Sequence, residues 1–256
     1  MTTSNEARGS QAATAMRKRF GLGTGPIADL VDLAAGADTT CDVAFEPLEP
    51  GLEGMVAQDP ATGQRIILVS TGTVLTRQRF TLAHELGHLE LGTLHAGQDH
   101  GGRTAQEVAA DAFARHLLLP LAAVRQATPE GPATVEILSD LVRTYRVSPS
   151  VASIQLRQAH VIDQATVEAW KPLTAPWLAA RFGWRDEHNA WTVQAQTRRA
   201  PRKLLVKAMD GYVKGLVSLT TLATITGTAP DVLSQELAQQ GLTPEPTAIT
   251  WFDPDA

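Results

Sequence analysis

The chain has 256 residues, 43% of them hydrophobic and 19% charged, with a net charge of −5. That length supports one large domain or two small ones, and the composition is that of a globular protein rather than a disordered one. The negative balance argues against whole-chain binding to nucleic acid or an anionic membrane, and a single cysteine, Cys41, excludes intramolecular disulfides and Cys-rich zinc modules and fits a reducing compartment.

Residues 1–9 are polar and read as loose chain. The first twenty residues hold basic side chains but no apolar run or small-residue cleavage site, so no secretory signal is expected. The run LLLPLAAV (117–124) is too short for a membrane span and contains Pro120; the expected location is the cytoplasm. Helical patterns cover about 10–20 and 26–35, the second opened by Pro26. Three strands are predicted next, CDVAFEPL (41–48), LEGMVAQD (52–59) and RIILVS (65–70), with turn signals between them. Cys41 is read as a small buried hydrophobe at the start of the first.

A helix is expected from about Leu75 to Gly92, then a loop rich in Gly and His, then a second long helix from about Thr104 to Leu119, stopped by Pro120. Beyond the break ATPEGPAT (127–134), two helical segments flank RVSPS. This pair, 134–159, resembles a helix-turn-helix whose second helix offers Ser150, Ser153, Gln155 and Arg157 as a weakly basic surface. WTVQAQ (191–196) reads as strand, and helices follow at about 202–214, 218–226 and 230–240. The last two form another helix-turn-helix-like pair without any Lys or Arg, which suits protein contact better than phosphate binding. RRAPRK (198–203) reads as a solvated basic face, with DNA or an acidic partner as the alternative. Trp170, Trp177, Trp184 and Trp191, seven apart, are taken as core and docking residues.

The chemistry concentrates in TLAHELGHLE (81–90). His84 and His88, four apart on a helix, share one face and converge on a single ion. Glu85 lies about 100° round the helix, where its carboxylate takes a proton from a water whose pKa the ion has lowered. A third ligand is required. A histidine six residues after the second is one option, but that position is Leu94, and His95 and His100 read as solvated loop residues. The better option is QEVAADAFARHLLLP, where Glu107 completes a two-histidine, one-glutamate set with an open fourth position. Asp111, one turn on, accepts the free ring N–H of a ligand histidine. Arg77 and Arg79 are read as structural salt-bridge residues, with substrate contact as the alternative.

RQRFTLAHELGHLELG followed by QEVAADAFARHLLLP resembles the ImmA/IrrE family of metallopeptidases over about residues 12–160, with Asp111 where Asn is common and His116 where a glutamate is frequent. The resemblance implies an α+β, gluzincin-like (zincin-like) fold over 1–130, a helix-turn-helix-like region at 131–165, and leaves a mostly helical region, 166–256, with no assigned role. It implies that His84, His88 and Glu107 hold a metal, zinc or another divalent ion such as manganese, and that Glu85 is the catalytic acid/base. It also implies limited proteolysis of an Xre-type helix-turn-helix repressor, relieving repression under stress. RIILVS is the candidate sheet edge for an extended substrate. For the oxyanion, His160, Tyr145 and Tyr212 are available, and the sequence does not choose among them. The rival reading is a non-proteolytic regulator that binds DNA or a protein partner through its helical modules.

Overall fold

The computed structural model describes residues 4–93, 104–128 and 133–245. Among them the chain forms three strands and thirteen helices, an α+β architecture. Helix α1 (Asn5–Arg19) begins earlier than its sequence suggests. Ser4 caps it by accepting from the Ala7 N–H, and Glu6 on its first turn pairs with the buried Arg115, so tertiary contacts fix a segment that polarity alone marks as loose. Helix α2 (Leu30–Ala37) starts four residues beyond Pro26, where the Asp29 carboxylate accepts from the N–H groups of Val31 and Asp32.

Strands β1 (Cys41–Glu46), β2 (Gly54–Gln58) and β3 (Arg65–Ser70) form one sheet in the order β1-β3-β2, with β3 parallel to β1 and antiparallel to β2. The expected edge, RIILVS, is therefore the centre of the sheet. Its uninterrupted Ile-Ile-Leu-Val run suits a strand flanked on both sides and covered by helices. The open edge belongs to β2, whose only strand neighbour among the described residues is β3. Cys41 is fully buried, as its position suggests.

Helix α3 (Leu75–Leu91) packs beneath the sheet and against α4 (Ala105–Leu118), and α1 lies along α4. Gly87 sets the α3–α4 separation. A Cβ there would stand 2.9 Å from Phe113 Cδ1 and 3.3 Å from Ala110 Cα, so any side chain would push the helices apart. After α5 (Leu121–Ala127), the helix-turn-helix-like pair α6 (Val135–Tyr145) and α7 (Pro149–Gln158) follows, then α8 (Gln164–Trp170), α9 (Ala175–Arg181) and α10 (Arg185–Gln196).

WTVQAQ is thus the end of a helix, not a strand. Trp191 and Ala195, four apart, are buried while Val193 between them is 67% exposed; the apparent alternation is one helical stripe seen over too few residues. Trp184 also belongs to this core: its ring nitrogen donates to Ser139 Oγ (2.9 Å) and its ring lies 5.2 Å from that of Trp191. Trp177, by contrast, is exposed. One buried cluster runs from Ala13 through Phe113 and Leu156 to Ala195, joining α1–α10 and the sheet. A second, smaller cluster joins α11 (Arg202–Val213), α12 (Leu219–Thr226) and α13 (Pro230–Gln239) around Leu222 and Leu237.

The basic run 198–203 is a strap, not a free face. Arg199 pairs main chain with Phe45 on β1 in both directions and stacks its guanidinium 3.8 Å from the Phe45 ring centre. Arg198 pairs with Glu46, and Lys203 donates to the carbonyls of Thr39 and Cys41. Asp42 then caps α11 from β1, accepting from the N–H groups of Arg202, Lys203 and Leu204, a helix start with no side-chain cap of its own. Replacing Asp42 with Ala should weaken α11–α13 by about 2 kcal/mol, the upper range for a lost cap. Hydrogen exchange should report that loss in 202–240 and leave α3 and α4 protected; equal loss in both regions would contradict a local cap.

Candidate metal centre

Helix α3 carries His84, Glu85 and His88; α4 carries Glu107 and Asp111. The close approach at Gly87 lets the two faces meet. His84 Nε2 and His88 Nε2 are 3.1 Å apart, and the Glu107 carboxylate lies 3.1 Å from the first and 3.2 Å from the second. Tetrahedral zinc with bonds of about 2.0–2.1 Å separates its ligand atoms by about 3.3 Å, so the two imidazole nitrogens, each with one of the two Glu107 oxygens beside it, stand at near-ligand spacing.

Protonation supports the same fit. His84 Nδ1 lies 3.0 Å from Asp111 Oδ1, and His88 Nδ1 lies 2.9 Å from Thr93 Oγ1. With each Nδ1–H donated outward, both Nε2 atoms present bare lone pairs to one another and to a carboxylate. Three acceptors facing one point repel unless a cation sits between them. Among the described residues this is the group of His, Cys, Asp and Glu side chains able to hold a metal ion. His95 and His100, weighed as alternative ligands, lie outside the described residues.

Thr93 is the contributor that the sequence does not announce. Gly92 ends α3 in the left-handed conformation (φ 65°), and the chain curls back so that Thr93 N–H donates to the His88 carbonyl and its hydroxyl meets the His88 ring. The signal was present in a glycine stop four residues after the second histidine, followed at once by a hydroxyl residue. Thr93→Val should weaken metal binding about 10–100-fold with the fold intact, the usual effect of losing a partner that orients a ligand histidine. Competition with a chelator of known affinity measures it, and an unchanged affinity would remove Thr93 from the site.

Glu85 sits half-buried beside these residues. Burial raises its pKa and the Glu107 carboxylate raises it further, against the pull of His84, leaving a carboxylate more basic than an ordinary glutamate. For His84, burial disfavours the cation, but the hydrogen bond to Asp111 and the charges of Glu85, Asp111 and Glu107 outweigh it and raise the pKa. The open strand edge ends at the same place. A Cβ on Gly54, the first residue of β2, would stand 2.3 Å from Thr81 Cγ2 and 3.8 Å from Glu85 Oε1. The first residue of β2 therefore lies beside Glu85.

Arg77 pairs with Glu53 at the head of β2. Among the described residues Arg79 does not form the expected salt bridge: it is buried, donates to the Ile27 carbonyl (2.9 Å), and burial pushes its pKa down to about 10. His116 is buried with its Nε2 3.8 Å from Glu6, facing α1. Of the three residues considered for the oxyanion, Tyr145 donates to the Thr24 carbonyl (3.0 Å), Tyr212 belongs to the α11–α13 cluster, and His160 follows α7 beside Arg157 and Asp163. The three are scattered, and none is brought to the cluster of His84, His88 and Glu107.

No curated protein matches the chain. A family model does: residues 38–157, from the start of the sheet through both metal-site helices to the end of α7, match the IrrE N-terminal-like domain of the M78 peptidases. Taken with two histidines and a glutamate gathered at ligand spacing around Glu85, the match supports membership of the ImmA/IrrE family of metallopeptidases for the region 38–157.

Proposed function

We propose that the protein is a cytoplasmic, zinc-dependent endopeptidase that makes a limited cut in an Xre-type helix-turn-helix repressor and so relieves repression under stress. The observation that carries the peptidase reading is the convergence of two imidazole nitrogens 3.1 Å apart on the Glu107 carboxylate, whose two oxygens lie 3.1 and 3.2 Å from them, beside a basic Glu85. His84, His88 and Glu107 would hold the ion, with Asp111 and Thr93 fixing the two imidazoles. When bound, a divalent ion supplies Lewis acidity, lowering the pKa of a water and polarising the scissile carbonyl.

The protein's own residues do the rest. Substrate main chain adds to the β2 edge as an extended strand, which aligns one peptide group over Glu85. Glu85 takes a proton from the attacking water and returns it to the departing amine. Because main-chain pairing needs an extended segment, the cut falls in a linker or locally unfolded stretch of the substrate rather than inside a packed helix. The location in the cytoplasm is supported by the single cysteine and by the nature of the substrate; no helix among the described residues is long and apolar enough to cross a membrane.

The test is incubation of the zinc-loaded protein with an Xre-type helix-turn-helix repressor from the same genome, with fragments mapped by mass. One or two zinc-dependent cuts in an interdomain linker are expected. An intact repressor alongside cleavage of an unfolded protein such as casein would sink the substrate assignment and keep the peptidase.

A further inference from the structure

A cavity of about 830 Å³ opens on the side of the molecule where the first turn of α3 faces α7, α8, α9 and α10. Its size is within the range of about 300–1,000 Å³ typical of small-ligand sites and far above the voids of a close-packed interior. Its walls are mainly apolar, from Val74, Ile154, Val167, Trp170, Leu173 and Trp191. The charges at its edge are few. Lys171 is neutralised by Glu168 at 2.5 Å, and burial lowers the pKa of His188, keeping that ring neutral near pH 7. Arg157 also lines the cavity, exposed and without an ion-pair partner among the described residues. Apolar, partly aromatic walls with one uncompensated guanidinium at the rim complement a ligand of one kind.

We propose that this cavity binds a small amphipathic anion: a compact aromatic or aliphatic body, seated between Trp170 and Trp191, bearing one carboxylate or sulfonate that meets Arg157. Enclosure by five separate elements favours a compact molecule over a strand or helix of a partner, which needs an open edge or a long groove. The cavity is separate from the metal centre and does not depend on the peptidase reading. It is connected to that centre, since Val74–Thr76 in its wall form the first turn of the helix that carries His84, Glu85 and His88.

Two dyes of the same shape and different charge test this in the full-length protein: 1-anilinonaphthalene-8-sulfonate and its neutral analogue N-phenyl-1-naphthylamine. The sulfonate should bind saturably at one site, with energy transfer from tryptophan, and about tenfold more tightly than the neutral dye, as expected for a charge-assisted contact. Arg157→Gln, a change at an exposed position of α7, should make the two dyes bind equally. Val167→Trp, which fills the cavity, should weaken the sulfonate about tenfold or more by removing the space it occupies. Equal binding of both dyes to the wild type would overturn the anionic class. Sulfonate binding unaffected by both substitutions would overturn the site. Because chelation of the metal should leave these affinities unchanged, failure here is distinguishable from failure of the metal centre.

Discussion

Glu85→Gln should reduce peptide hydrolysis by about 10²–10⁴-fold, the usual worth of a positioned general base, with KM and bound metal nearly unchanged. Glutamine keeps the shape and the reach of the side chain but has no site to take a proton at neutral pH. The three converging acceptors belong to His84, His88 and Glu107, so the substitution leaves the ligand set intact. A drop in kcat with metal stoichiometry preserved isolates proton transfer from metal binding.

In the metal-free protein the folded-state pKa of Glu85 is raised, first by burial and then by Glu107. A raised carboxyl pKa means that ionisation costs folding stability: the cost is absent below the unfolded pKa and fully present above the folded one. Glutamine removes that cost. At neutral pH and in chelator, the variant should therefore melt no lower than the wild type, and the two should converge as pH falls towards the ordinary glutamate range. A variant that melts markedly lower in chelator would give Glu85 a structural role instead.

How far the sequence discloses this arrangement depends on which residues carry each constraint. The pairing of the two helices was legible because both use the same four-residue period: His84/His88 on one and Glu107/Asp111 on the other each define a face. Local spacing is enough for that. Strand order is not local. RIILVS reads equally well as an edge or a centre until its neighbours are known, and its place between β1 and β2 assigns the open edge to GMVAQ instead. The strap at 198–203 was hidden for a similar reason. A basic run looks solvated unless one knows that Glu46, the carbonyls of Thr39 and Cys41, and the Phe45 ring lie opposite it. Helix α10 was misread because Trp191, Val193 and Ala195 alternate over six residues, too short a window to separate a period of 2 from one of 3.6. Thr93 escaped because its contact depends on the left-handed Gly92 turn, a backbone property with only a weak sequence signature.

Glu107→Ala should separate metal binding from folding more sharply than any histidine substitution. Apparent zinc affinities of about 10–16 kcal/mol over four ligands imply about 3–4 kcal/mol for each, so losing the carboxylate should weaken binding by about 10²–10³-fold. The metal-free protein should respond far less. There the Glu107 oxygens lie 3.1 and 3.2 Å from the two imidazole Nε2 atoms and help to raise the pKa of His84, so the loss in chelator is that of one partly exposed His–carboxylate pair. In chelator the variant should thus melt only slightly below the wild type. With zinc added at about 100 times the wild-type Kd, the wild type gains about 2.7 kcal/mol by mass action, whereas the variant, its Kd shifted past that concentration, gains only a few tenths. The gap between the two melting curves should widen sharply from the chelated to the zinc-loaded state. A variant that melts markedly lower in chelator and keeps the full gain with zinc would show Glu107 to be a structural acid. The third ligand would then have to be sought elsewhere, with His95 and His100 the first to be replaced.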